Sequence, residues 1–114
     1  MVIGFGDLAR RLVPKLSGAA EIVGVSRRPE LLPEGVTAVF GDYTQRDTLA
    51  EAASLTPDVV IFTPVPVSHD LEGYRLGYAQ AAGNICEAGV LTHAERAIFV
   101  SSTRVYAEKA GGWV

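Results

Sequence analysis

Two short stretches hold residues whose types and spacing could do chemistry. In the first, Gly4-Phe5-Gly6-Asp7-Leu8-Ala9 places glycine, glycine and a small residue at the first, third and sixth positions of a turn. The first glycine would permit a tight turn and the second would let a pyrophosphate approach the backbone. The small third residue would let a helix pack closely on a strand. A helix starting there would aim its unpaired N–H groups and positive dipole end at phosphate. In the second, Val100 to Lys109, Ser102, Tyr106 and Lys109 fall within eight residues of one another. A serine hydroxyl can hydrogen-bond a reacting oxygen. A tyrosine can exchange its proton when a neighbouring lysine lowers its pKa.

Further candidates follow from where the predicted strands end. The run Glu21 to Ser26 ends in Val25-Ser26-Arg27-Arg28, with no carboxylate at the position that holds a ribose 2′-OH in NAD-binding turns. Ser26 can donate a hydrogen bond, and Arg27 or Arg28 can pair with a 2′-phosphate, which favours NADP over NAD. The alternative is that both arginines are solvated loop charges before Pro29. Asp42, after the run Val36 to Phe40, could accept from an adenine amino group with Tyr43 flanking the ring, or could simply hold a turn. The run Val59 to Thr63 passes into Thr63-Pro64-Val65, where the backbone would border a cofactor at the switch point of the sheet.

The elements that must position these groups alternate. Met1 to Ile3 reads as the end of a strand, and the apolar spacing of Leu8, Leu12, Val13 and Leu16 predicts a helix. Pro14 should kink or shorten it. The runs 21–26 and 36–40 read as strands, and Thr44 or Asp47 should cap a helix reaching about Leu55. The run 59–63 is apolar on both faces, as a central parallel strand requires. A long helix is expected from about Leu71 to Ala88, then a buried strand over Ala97 to Ser101. Such alternation specifies an α/β doubly wound parallel sheet with right-handed crossovers, a Rossmann-like arrangement of about five strands in the order 3-2-1-4-5.

Composition excludes several classes. The 114 residues suffice for one domain, and a net charge of −3 leaves no broad cationic field for nucleic acid, while the pairs Arg10-Arg11 and Arg27-Arg28 remain candidate anion sites. The single cysteine, Cys86, rules out an internal disulfide and is expected to be a buried, inert thiol. His69 and His93 lack metal-ligand spacing, so no metal is expected. No apolar run approaches a membrane span and no signal peptide is visible, so the reading is a cytoplasmic soluble domain.

Taken in order, "GFGDLARRL", "FGDYTQRDTL", "PDVVIFTPVP", "NICEAG" and "IFVSSTRVY" resemble the extended and atypical short-chain dehydrogenase/reductase superfamily, its NAD(P)-dependent epimerase/dehydratase group. The resemblance covers nearly the whole chain and rests on the order of the motifs. It implies an NAD(P)-binding domain of an oxidoreductase acting on a sugar nucleotide or a similar alcohol or carbonyl. It maps the catalytic serine onto Ser102 and makes Tyr106 structural. The Tyr-x-x-x-Lys pair would lie on a later helix beyond Val114, so Lys109 matches nothing. The chain is accordingly expected to be the nucleotide-binding part, residues 1–114, of a longer enzyme. Its 71–88 helix is expected to be able to form a homodimer. Ala9 replaces the third glycine, and Tyr78 stands where many members carry asparagine. An alternative is a non-catalytic dinucleotide-sensing or interaction module of the same fold.

Overall fold

The computed structural model describes residues 1–102 and 109–113. Five strands form one parallel sheet in the expected order: β3 (Val36–Phe40), β2 (Ile22–Ser26), β1 (Val2–Ile3), β4 (Val59–Phe62) and β5 (Arg96–Phe99). The middle strand, β1, has only two residues, yet both are almost fully buried because it is flanked on either side. Val2 and Ile3 lie opposite Gly24 and Val25 of β2, and opposite Ile61 and Phe62 of β4. The carbonyl of Ile3 accepts from Thr63 N–H (3.0 Å) and the N–H of Gly4 donates to the carbonyl of Val25 (3.1 Å), so pairing continues past the strand into the turn.

Helix α1 (Asp7–Leu16) follows the glycine turn and buries Ala9 against the sheet. Pro14 does not break it: the helix runs on to Leu16, and Ser17 N–H donates to the carbonyl of Val13 (3.0 Å). The carbonyl that Pro14 leaves without a donor is that of exposed Arg10, where water can serve it. Leu49, Ala52, Ala81, Ile85 and Val90 pack with Ile3, Val25, Val39, Val60 and Phe62 into one core.

Three expectations are corrected. The helix before Leu55 begins as a 3₁₀ turn (Arg46–Leu49) and becomes α2 only over Ala50–Ser54, with no side-chain cap from Thr44 or Asp47. Thr44 instead bonds back to Asp42. Strand β5, at the sheet edge with only β4 pairing it, is exposed along its whole length: it lacks the cover on its faces that buries Val39 in the other edge strand, β3. Cys86 is exposed: it faces outward on the helix that buries Ala81 and Ile85. The long helix is present but not uniform, with α3 (Leu71–Tyr74), a π-helical segment (Arg75–Gln80) and α4 (Ala81–Glu87) following one another without a break.

Candidate dinucleotide site

The two glycines of the first turn do different jobs. Gly4 has φ +84°, and a Cβ there would lie 2.6 Å from the carbonyl oxygen of Thr63 and 2.9 Å from its Oγ1. Thr63 Oγ1 donates to the carbonyl of Gly4 at 2.6 Å, tying the turn to the end of β4. Gly4 is therefore demanded by the protein's own packing. Gly6 caps α1 with an ordinary φ of −89°, and a Cβ there would meet nothing within 4 Å. Nothing within the fold requires glycine at that position. The open space lies where the fingerprint brings a pyrophosphate against the backbone, in line with the N-terminus of α1. Asp7, in the first turn of α1, is held by Arg11 (2.8 Å), which offsets its negative charge beside that N-terminus. Both side chains are well exposed, so the pair itself adds little stability.

At the end of β2, Ser26 Oγ accepts from the backbone N–H of Arg28 (3.1 Å). At the end of β3, Asp42 Oδ1 accepts from both Thr44 N–H (2.9 Å) and Thr44 Oγ1 (2.7 Å). The backbone N–H of Asp42 donates to Thr48 Oγ1 (2.8 Å), so this carboxylate does hold a turn. Tyr43 sits edge-on to Phe62, with centroids 5.0 Å apart, and its hydroxyl accepts from Val65 N–H (3.4 Å). Burial pushes the Tyr43 hydroxyl above its ordinary pKa, outweighing the bond from Val65. Asn84 Nδ2 donates to the Tyr43 carbonyl (3.0 Å), fastening the β3 loop to α4.

These elements enclose a cleft of about 410 Å³, within the range of small-molecule sites. Gly4, Phe5, Gly6, Asp7 and Leu8 form one wall, Ser26 and Arg27 another, Asp42 and Tyr43 a third, and Thr63 and Pro64 the floor at β4. Arg28 faces a second cleft of about 350 Å³. Sequence reasoning missed Val25, Gly41 and Val100 in the first cleft, and Leu31 in the second. Gly41 had a visible signal, since it closes the apolar run of β3. The others are ordinary side chains that only the sheet order brings together. Ser102 is exposed, two positions past the cleft residue Val100 and outside the cleft wall. Tyr106 lies outside the described residues, and Lys109 is exposed. His69 is exposed on the loop after β4. Among the described residues no cluster of potential metal ligands forms, and no helix is long and apolar enough to cross a membrane.

The profile of the family described as NAD(P)H-binding matches residues 4–114. The chain belongs to the NAD(P)H-binding family. No curated protein matches the sequence. Among solved structures, this NAD(P)H-binding chain is similar to a Methylobacillus flagellatus protein described provisionally as an NAD-dependent epimerase/dehydratase. The identity is 29% and the TM-score 0.76, over 99% of this chain and 40% of that one. The chain thus spans less than half the length of that protein.

Proposed function

We propose that this chain is the dinucleotide-binding part of an epimerase/dehydratase-like oxidoreductase that works with NADP. The observation that carries the reading is Gly6: the fold does not need glycine there, and a pyrophosphate approaching the backbone does. Bound NADP would supply a reversible hydride acceptor and donor. The chain's own residues would bind and orient it. The turn 4–8 and the N-terminus of α1 would receive the pyrophosphate, with Ser26, Arg27 and Arg28 at the adenosine ribose. Asp42, through the carboxylate oxygen not engaged by Thr44, and Tyr43 would border the adenine. Thr63 and Pro64 would face the nicotinamide half. Ser102 would hydrogen-bond the reacting oxygen of a sugar nucleotide or similar alcohol or carbonyl.

No tyrosine in the 114 residues stands four positions ahead of a lysine, so the family's proton-exchanging pair would come from outside this chain. A homodimer through the 71–88 helix is part of the reading, supported by Leu71, which is 87% exposed. Calorimetric titration with NADPH and NADH tests the core of it. The expected result is binding of both, with NADPH the tighter, and no cofactor-dependent turnover of an alcohol or carbonyl substrate. Failure of both to bind would overturn the dinucleotide reading, and tighter NADH would overturn the choice of NADP.

A further inference from the structure

The second cleft shares Phe5, Ser26 and Arg27 with the first and continues outward from the end of β2. Its remaining lining is Arg10, Arg28 and Leu31, so it holds three guanidinium-bearing residues, one hydroxyl and no carboxylate. Arg10 comes from α1, one position after the buried Ala9, and its Nη2 donates to the carbonyl of Leu31 at 3.0 Å. That bond ties α1 to the 3₁₀ turn Pro29–Leu31, and it uses one of the five N–H donors of the guanidinium. Ser26 Oγ already accepts from Arg28 N–H, which leaves its own hydrogen to be donated. Every polar side chain lining this cleft is therefore a donor or a cation, and two separate elements supply the cations. The carboxylate that accepts from a ribose 2′-OH in NAD-binding turns is missing from this lining. A phosphate monoester, carrying about −1.5 to −2 charge at neutral pH, needs only donors and positive charge.

We infer that Arg10 completes a phosphate-monoester site with Ser26, Arg27 and Arg28, and that it is a specificity-determining residue for the 2′-phosphate of the dinucleotide. The inference rests on the dinucleotide reading above and adds a residue from outside the β2 loop. The Leu31 carbonyl sets the direction of the Arg10 fork, so the turn Pro29–Leu31 acts as its brace.

Calorimetry on the wild-type chain and Arg10→Gln, with NADPH, NADH and 2′,5′-ADP as ligands, tests it. One lost charged contact corresponds to about tenfold in affinity. The expected result is NADPH and 2′,5′-ADP binding weakened about tenfold in R10Q, with NADH binding within about twofold of wild type as the internal check on folding. The advantage of NADPH over NADH should also shrink more steeply with added salt in wild type than in R10Q. Arg10→Lys, which keeps charge but not the fork, should fall between the two. Equal weakening of NADPH and NADH in R10Q, or no change in either, would overturn the role of Arg10 while leaving the dinucleotide reading intact. Failure of wild type to bind any dinucleotide would overturn that reading, and this inference with it.

Discussion

Gly4 and Gly6 sit two positions apart in one turn, yet the structure separates their roles, and substitution should separate them too. Gly4→Ala puts a side chain into left-handed backbone, costing about 1–2 kcal/mol from the backbone alone, and adds a clash with the Thr63 carbonyl. The expected outcome is a clearly lowered melting temperature. Gly6→Ala meets open space at an ordinary φ. It should melt within about 0.5 kcal/mol of wild type, as surface changes do, while losing at least about tenfold in dinucleotide affinity. Thermal melts and calorimetry on both variants check the pair; unchanged affinity in G6A would defeat the assignment. Tyr43 gives a pH dependence with a definite sign. Burial raises its pKa above the ordinary 10.0, so the folded state holds the proton longer than the unfolded chain. Stability from this residue is intact below the unfolded phenol pKa and is lost as pH rises through the higher folded value. Between about pH 9 and pH 11, wild type should lose more stability than Tyr43→Phe, as measured by denaturant melts across that window. Equal losses would show that Tyr43 does not titrate in this way.

At the level of elements, the strands were legible because their apolar runs are bounded by glycine, proline and charged residues, as in Val36–Phe40 before Gly41. What stayed hidden depended on neighbours. The apolar content of β5 suggested burial, but with little packed on its faces Ile98 and Phe99 are 44% and 47% exposed. The start of α2 followed Asp42 and Thr48 bonding across the β3 loop, contacts that spacing alone does not display. The π-helical segment Arg75–Gln80 has no sequence period of its own. Within it, a Cβ on Gly77 would run into the carbonyl of Val65, on the loop that supplies Pro64 and Val65 to the cleft. Gly77→Ala should therefore lower both the melting temperature and dinucleotide affinity, because the helix must back away from that loop. Gly83, in α4, faces open space. Gly83→Ala should raise stability by about 0.5–1 kcal/mol through helix propensity and leave affinity unchanged. Melting curves and titrations of the two variants check the contrast; equal behaviour would mean the loop does not press on the helix at Gly77.

For the whole molecule, the glycine turn, the ends of β2 and β3 and the end of β4 were legible as neighbours because a parallel sheet of order 3-2-1-4-5 brings the carboxyl ends of its strands around one cleft. Arg10 was legible only as half of a basic pair with Arg11; that it joins Arg27 and Arg28 in the second cleft was not, since it is tied there by a bond to Leu31, a residue far along the chain. The same sheet leaves two apolar surfaces that could join copies of the chain: the 71–88 helix, with Leu71 and Tyr74 exposed, and the β5 edge, with Ile98 and Phe99. They lead to different assemblies. A helix face repeated about a two-fold axis closes into a dimer, whereas pairing at a sheet edge can lead to open-ended association. Arg96 opens β5 with a charge that opposes edge pairing, while Leu71 is the most exposed aliphatic side chain among the described large hydrophobics. The expected state is thus a discrete dimer by light scattering, dissociated by Leu71→Asp and unchanged in mass by Ile98→Lys. A mass that grows with concentration beyond twice the monomer, and that Ile98→Lys suppresses, would move the association to the β5 edge. A monomer at all concentrations would remove the helix from the proposed function without touching the dinucleotide cleft, which one copy of the chain lines with its own residues.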